Sequence, residues 1–354
     1  MGSIAQLWRF DPRRRQTLCI PTTQVEVKLG YDNSDRQGAK YLVDIPKRKL
    51  GRTGLNVTSL GFGALELRGM VAGIGRDLKP NQPERILNAV LDAGINYIDV
   101  AVDYGEAEEH IGRCIASRRR EFFLASKCGC PPDVSKFVPA ERTRYGVPLP
   151  QLHDYSRENI IKTCDQSLRR MKTDYLDVLQ FHFSPAIKLL EQEKAVQTLE
   201  SLKRDGKIRF LGCSSILPNI IDHVEMGVFD VLQVPYSALQ PDHENAISIA
   251  ARAGIGIVIR GGVAKGPPGK SHGSATIWDM WDKAELDELL DGEHRTAFML
   301  RFTITNPDIH TTVVGTLEPE HLLENVAAVL RGPLPASVYT EAKKRLSEAE
   351  LDPV

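Results

Sequence analysis

The sequence predicts an α/β protein in which eight parallel strands close into a (β/α)₈ barrel, the TIM-barrel class, preceded by an N-terminal hairpin and an irregular N-terminal extension. From Lys47 onward, strand-like and helix-like segments alternate, which favours a parallel sheet covered by helices. The strand segments are short runs of Val, Ile, Leu and Phe, typical of strands that are buried on both faces. Several of them end in polar side chains, and barrels of this class carry their active sites at those ends.

The elements follow in order along the chain. Residues 47–60 predict a short hairpin about the turn Gly51-Arg-Thr-Gly54. Helices are predicted at residues 83–92, with a proline in the first turn, at 157–171, with Ser156 as N-cap, and at 192–204, ended by Gly206. The eight strands are predicted near residues 60–64, 97–101, 122–126, 176–181, 208–213, 231–235, 256–259 and 312–315.

Two segments are expected from this pattern. Residues 1–46 form the extension, without a catalytic part, and residues 47–354 form a single barrel domain. Residues 1–52 hold 11 Lys or Arg against 5 Asp or Glu, so the extension is basic and the remainder mildly acidic. The net charge of −1 argues against a nucleic-acid surface, and no apolar run approaches the ~20 residues that span a bilayer. We expect a cytoplasmic protein without membrane or nucleic-acid partners, and a homo-oligomer is compatible with the sequence.

The six cysteines are scattered, which is typical of reduced thiols in a cytosolic enzyme. Cys128 and Cys130 stand close together, but no second Cys or His pair is spaced to complete a metal site. The sequence therefore predicts no metal.

A doubly wound dinucleotide-binding fold is the main alternative architecture. It requires the pattern G-x-G-x-x-G directly after a strand and at the start of a helix. The segments beginning at Gly61 and at Gly254 both lack the third glycine, and the second leads into a strand. The barrel is therefore favoured.

Four polar residues at strand ends form a plausible proton-transfer site: Asp99, Tyr104, Lys127 and His182. A tyrosine hydroxyl has an ordinary pKa near ~10, so it donates a proton poorly at neutral pH unless nearby charge lowers its pKa. A lysine ammonium has that effect, a carboxylate keeps the lysine charged and in place, and a neutral imidazole can hydrogen-bond a substrate oxygen.

These four residues, in their segments and in this order, resemble the catalytic tetrad of the aldo/keto reductases. The resemblance extends from about residue 47 to about residue 330. It implies that Tyr104 is the general acid or base, supported by Lys127 and Asp99, and that His182 binds the substrate oxygen. It also implies NADP(H) or NAD(H) as the cofactor.

Further cofactor residues are implied by the resemblance. Gly212-Cys-Ser214-Ser215 is similar to the family's Gly-Val-Ser-Asn, whose Asn binds the nicotinamide carboxamide, and Ser215 replaces that Asn. Gln233 matches the second carboxamide ligand. Tyr236 matches the aromatic residue that stacks on the nicotinamide ring.

The segment after the seventh predicted strand lies where the family covers the cofactor pyrophosphate. Gly261 allows backbone N–H groups to approach phosphate, and Arg260 or Lys265 can pair with it. Residues 261–292 form the longest predicted loop, in which Trp278, Met280 and Trp281 are candidates for a substrate wall or, equally, for an oligomer contact.

The last strand leads into a segment that resembles the family's adenosine-binding region. Glu324 and Asn325 correspond to its adenine ligands, and Gly315, Thr316 and His321 belong to the same segment. Many NADP-dependent members carry Lys and Arg where this chain has Gly315 and His321. We therefore expect NADH to be used at least comparably with NADPH.

The resemblance implies an oxidoreductase that moves hydride between nicotinamide and an aldehyde, a ketone or the corresponding alcohol. Two alternatives stay open: an NAD-dependent sugar (aldose) 1-dehydrogenase, and a cofactor-binding regulatory subunit with slow turnover. The substrate would be a small carbonyl compound or sugar.

Overall fold

A computed structural model of the protein describes residues 44–71, 74–130, 153–264, 266 and 275–351. Eight parallel strands close into a barrel, which confirms the predicted fold class. The predicted extension up to residue 43, and Lys265, lie outside the described residues. In chain order the barrel strands are β1 (Leu60–Gly63), β2 (Tyr97–Asp99), β3 (Phe123–Cys128), β4 (Leu176–Phe181), β5 (Ile208–Ser214), β6 (Val231–Pro235), β7 (Gly256–Arg260) and β8 (Thr311–Val314).

Helices lie between the strands and on the barrel's outer surface. Short antiparallel pairs join Lys47–Lys49 to Asn56–Thr58 and Met70–Val71 to Ile74–Gly75, and 3-10 turns span Gly51–Thr53, Ala64–Arg68, Ala116–Glu121 and Leu286–Leu289. None of the described helices is long and apolar enough to cross a membrane. The helices are α1 (Gln82–Asp92), α2 (Ala107–Cys114), α3 (Arg157–Met171), α4 (Ile187–Gln192), α5 (Ala195–Arg204), α6 (Asn219–Glu225), α7 (Glu244–Arg252), α8 (Ala275–Lys283), α9 (Arg295–Thr305), α10 (Pro319–Leu330) and α11 (Ala336–Leu351).

Along each barrel strand, successive side chains point alternately into the barrel interior and outward to the helices. The interior cluster contains Tyr97, Ala125, Val178, Val231, Val258 and Val313, one residue from each of six strands. Their neighbours, such as Ile98 and Ile257, belong to the larger cluster between strands and helices. Because side chains alternate along a strand, a residue two or four positions after one of these interior residues also points inward.

The N-terminal hairpin closes the amino-terminal end of the barrel. Leu50, Leu55 and Val57 pack in the same cluster as the interior valines. The backbone N–H of Arg52 donates to Gly254 O at 2.7 Å. Gly51 has a φ of +47°, and a Cβ there would lie 2.3 Å from Gly256 N, so glycine is required by both conformation and space. The opposite end remains for the active site.

The predicted helices are mostly confirmed, with one difference. Ser156 caps α3, and its Oγ accepts from Asn159 N at 3.3 Å. The helix predicted from residue 192 begins instead at Ala195, after α4 and a left-handed turn at Lys194 with a φ of 49°.

The long loop predicted at residues 261–292 is wrong in part, because α8 and a 3-10 turn lie within it. Trp278 and Trp281 are buried, and Trp281 packs edge-on against Phe298 at 5.5 Å between ring centroids. They therefore belong to the core and do not form a substrate wall.

A shortened chain tests where the folded unit begins. Ile45 is 1% exposed in the main core, and Pro46 O accepts from Ser59 N at 2.8 Å. We expect a chain beginning at Asp44 to keep its free energy of unfolding and its kcat/KM within about threefold. A matched chain beginning at Lys47 should unfold with about 3 kcal/mol less free energy, because it loses a buried isoleucine. Denaturant unfolding measures both, and an insoluble or inactive Asp44 chain would show that residues 1–43 support the barrel.

Candidate active site

Three of the four catalytic candidates occupy inward positions at the carboxyl ends of adjacent strands. Asp99 follows Tyr97 by two residues, Lys127 follows Ala125 by two, and His182 follows Val178 by four, so each shares the inward side of its strand. Tyr104 lies in the turn between β2 and α2. Parallel strands in a closed barrel bring these ends together, and the structure gathers all four residues.

Lys127 is buried and held in a fixed position. Its Nζ donates to Asp99 Oδ2 at 2.7 Å and to Val100 O at 2.8 Å, and its side chain is 1% exposed. Burial alone would lower the pKa of Lys127, but Asp99 and Tyr104 outweigh it and raise the pKa above the ordinary lysine value. The ammonium is therefore charged throughout the physiological pH range.

The carboxylate of Asp99 is shared by three donors. Its Oδ2 accepts from Lys127. Its Oδ1 accepts from Gln233 Nε2 at 2.8 Å and from Gln180 Nε2 at 3.2 Å. Both glutamines occupy inward positions in their strands. No local pattern singles out Gln180, because its importance depends on contacts across the barrel.

Tyr104 lies against the Lys127 ammonium, whose Nζ is 4.8 Å from the centroid of the tyrosine ring. Burial raises the pKa of Tyr104 to about 12, and the positive charge of Lys127 opposes that rise. The hydroxyl therefore carries its proton at neutral pH, and a phenolate formed by losing it would have a cation beside it.

His182 is neutral and faces Tyr104, with 6.1 Å between the ring centroids. Burial lowers the pKa of His182, and the charge of Lys127 lowers it further. Its Nδ1 lies 2.9 Å from Cys130 Sγ and 3.6 Å from Asp103 Oδ1. Burial raises the pKa of Cys130, so the thiol is protonated and can donate to Nδ1. In that arrangement Nε2 carries the imidazole proton and is the nitrogen able to donate to a substrate oxygen.

The carboxamide candidates fall into two groups. Ser214 and Gln233 are paired in register on inward positions of β5 and β6, and Gln233 Oε1 is buried without a hydrogen-bond partner among the described residues. That free acceptor fits the N–H donors of a nicotinamide carboxamide. Ser215 is turned away, since its Oγ lies 2.7 Å from His223 Nδ1 behind the strand.

The interpretation of Tyr236 as the stacking aromatic disagrees with its position. It is 0% exposed and packs on Phe302 of α9, with 6.4 Å between ring centroids. Gln233 faces the interior, so Tyr236, three residues later, faces the helices. Arg260, by contrast, follows the interior residue Val258 by two positions and points into the barrel.

The adenosine-end candidates lie beyond β8, at the same end of the barrel as the tetrad. A Cβ at Gly315 would lie 2.6 Å from Gly63 O, so this segment passes close to the end of β1. Thr316 Oγ1 accepts from Glu318 N at 3.1 Å just before α10. His321 and Glu324 are exposed on the first turns of α10, and Asn325 is half-buried. Gly261 begins the turn after β7 with a φ of +75°.

With this geometry in place, comparison with known proteins identifies the family. The model of the Aldo/keto reductase family matches residues 59–346. The chain belongs to the aldo/keto reductase family. As in that family, it is an oxidoreductase that uses NAD(P)(H).

Solved and curated aldo/keto reductase relatives span nearly the whole barrel. The holo form of aldo-keto reductase AKR11C1 from Bacillus halodurans superposes with a TM-score of 0.71 and 28% identity, covering 85% of this chain and 96% of that one. The uncharacterized oxidoreductase YqkF of Bacillus subtilis is 27% identical, over 80% of this chain and 90% of its own length. L-galactose dehydrogenase of Arabidopsis thaliana is 26% identical, over 81% of this chain and 89% of its own length.

Sequence reasoning missed a cluster beside the aldo/keto reductase tetrad. Cys130, His153 and His182 place ligand-type atoms within 4.8 Å of one another, and Asp103 borders them. Spacing along the chain cannot indicate such a cluster, because these residues come from three separate segments. The absence of a metal stays a prediction. Burial raises the pKa of Asp103, which favours its neutral form.

Proposed function

We propose that the protein transfers hydride between the C4 atom of a nicotinamide cofactor and a carbonyl carbon, with Tyr104 exchanging the proton. The contact that supports this most directly is the buried Asp99–Lys127 pair placed against the Tyr104 ring. The bound cofactor supplies or accepts the hydride. In reduction, His182 Nε2 would hold the carbonyl oxygen, and the Tyr104 hydroxyl would give that oxygen its proton. Lys127 would then stabilise the phenolate.

The cofactor would lie across the carboxyl end of the barrel. Ser214 and Gln233 would bind the carboxamide, and the backbone at Gly261 would lie near the pyrophosphate, for which Lys265, outside the described residues, stays a candidate from the sequence. We assign the adenosine end to Gly315, Thr316, His321, Glu324 and Asn325. Ser215 could take part only by leaving His223, and Tyr236 is not included because it faces the helices.

The experiment that tests this function is steady-state turnover on a panel of aldehydes and ketones with NADPH and, separately, with NADH. We expect measurable reduction of at least one class of carbonyl. Complete inactivity on the carbonyl panel, and on the corresponding alcohols with the oxidised cofactors, would contradict hydride transfer.

A second candidate is an NAD-dependent aldose 1-dehydrogenase. The Arabidopsis relative is named as a dehydrogenase of L-galactose, which supports a sugar substrate oxidised at C1. The same four residues would serve, with Tyr104 accepting the proton. Turnover of aldoses with NAD that exceeds aldehyde reduction would favour this function over carbonyl reduction.

Cofactor choice gives a prediction on His321. The segment from residue 315 to residue 325 has no Arg or Lys, and Glu320 is exposed in it. We expect His321→Arg to shift the ratio of kcat/KM values toward NADPH by roughly tenfold, because a guanidinium can pair with the 2′-phosphate. Leu323→Arg, two positions along the same helix and on another face, adds the same charge and should leave the ratio unchanged. A wild-type NADPH preference above about a hundredfold would mean that another cation already binds the phosphate.

The proposed setting is the cytoplasm, with small molecules as ligands and no nucleic-acid or membrane partner. The five described cysteines are free thiols, which suits a reducing compartment. A homo-oligomer stays a proposal, to be tested by light scattering.

A further inference from the structure

Arg260 is a charged residue that points into the mouth of the barrel. It is the last residue of β7, paired in register with Pro235 of β6 and Val313 of β8. Its side chain points into the barrel, because Val258, two residues earlier on the same strand, packs in the interior cluster. The residue is half-buried. Its guanidinium therefore lies where the tetrad lies, at the carboxyl end of the barrel.

Arg260 interacts electrostatically with residues of the candidate active site. Burial lowers the pKa of Arg260, while Tyr104 and Asp99 act electrostatically to raise it. Its positive charge also contributes to the lowered pKa of His182, after burial, Lys127 and His153. Because charge interactions weaken with distance, these effects on pKa indicate that Arg260 lies near Tyr104, Asp99 and His182.

No acidic side chain among the described residues forms an ion pair with Arg260. Asp99 is already bound to Lys127 at 2.7 Å, and Asp103 lies 3.6 Å from His182 Nδ1. A guanidinium keeps its charge even when partly buried, and a buried charge without a counter-ion is costly. An anion from a ligand would remove that cost.

We propose that Arg260 binds an acidic group of the substrate, so that the preferred substrates are carbonyl compounds bearing a carboxylate. This inference rests on the proposed function, because it places the substrate carbonyl between Tyr104 and His182. The planar guanidinium would hold the carboxylate through two parallel N–H···O bonds, which also orients the carbonyl toward Tyr104. The alternative partner of the same chemistry is a phosphate of the cofactor.

A matched pair of substrates tests the proposal. Succinic semialdehyde and butanal have the same chain length and the same reacting group but differ in one carboxylate. We expect wild-type kcat/KM to favour the acid by at least tenfold. Arg260→Met should lower kcat/KM for the acid by roughly tenfold to a hundredfold, as expected for a lost charge-assisted pair, and should abolish most of the preference for the acid over butanal. Arg252→Met, an exposed arginine on α7, removes the same charge elsewhere and should change neither value.

The outcomes separate the substrate from the cofactor. Dissociation constants of NADPH and NADH, measured by fluorescence titration, should be unchanged in Arg260→Met. A loss of cofactor affinity together with an equal loss for both aldehydes would show that Arg260 serves the cofactor and would overturn the proposal. So would a wild-type enzyme that does not prefer the acid.

A binding measurement keeps this test independent of turnover. Calorimetric titration of the cofactor-bound protein with succinate, compared with 1,4-butanediol, requires no catalysis. Binding of succinate that is lost in Arg260→Met would support the anion site even if hydride transfer failed. Equal binding of succinate by wild type and variant would reject the site even if the enzyme reduces aldehydes.

Discussion

Replacement of Tyr104 by phenylalanine is expected to lower kcat by at least ~100-fold while the dissociation constant of the cofactor stays within about twofold. General acid catalysis typically contributes 10² to 10⁴-fold, and phenylalanine keeps the ring that packs beside Lys127 while removing the proton. Burial raises the pKa of Tyr104 to about 12 instead of leaving it lowered as the sequence suggested, so the hydroxyl carries its proton at neutral pH, and the charge of Lys127 is what opposes this weakening of the acid.

The control for this variant is Tyr175→Phe. Tyr175 directly precedes β4 at the opposite end of the barrel and stacks on Arg119, with 4.2 Å from the guanidinium carbon to the ring centroid. We expect the Tyr175→Phe variant, which lacks only this hydroxyl, to have an unchanged kcat. Near-normal turnover in Tyr104→Phe would remove the proposed role of Tyr104 and require another proton donor.

Replacement of Lys127 by methionine is expected to affect both catalysis and stability. Without the ammonium, the pKa of Tyr104 should rise above its wild-type value, so the basic limb of the pH profile of kcat moves to higher pH. The free energy of unfolding should fall by about 3 to 5 kcal/mol, because the Asp99 carboxylate remains buried without its cation.

The pH dependence of that stability loss has a definite sign. The pKa of Lys127 is raised in the folded protein, so the pair stabilises fully below the ordinary lysine pKa and weakens only as the pH rises through the folded-state pKa. The difference between wild type and Lys127→Met should therefore be the same at pH 6 and pH 9. Denaturant unfolding at both values measures it.

The double variant Lys127→Met with Asp99→Asn separates the two effects. Removing both charges should restore much of the stability, since no unpaired carboxylate remains buried, yet leave turnover low. An unchanged pH profile in the single variant would count against Lys127 as the partner of Tyr104.

The sequence was sufficient to predict the barrel and the meeting of the four tetrad candidates at one end of it, because both depend on local patterns. Asp99 and Lys127 stand at the ends of apolar strands, and parallel topology alone brings such ends together. The family membership of the chain confirms the resemblance from which the roles were inferred.

The remaining differences arise where side-chain direction or tertiary contact decides. Tyr236 was assigned to the mouth by motif position, but the alternation within β6 sends it to the helices, and the same alternation sends Arg260 inward. Ser215 bonds to His223, a residue in the next helix, which no spacing rule predicts. Trp278 and Trp281 are in the core because α8 folds within the segment that lacked a clear helical signal.

The hydrogen bond between Gln233 and Asp99 gives the site a fixed polarity. Because Asp99 accepts, the amide nitrogen of Gln233 points toward it, and the amide oxygen is left as a buried acceptor without a partner among the described residues. That oxygen attracts an uncharged amide and repels a carboxylate. If Gln233 binds the carboxamide as proposed, we expect the site to favour the amidated dinucleotide over its deamidated form, nicotinic acid adenine dinucleotide, through the same Asp99 carboxylate that holds Lys127.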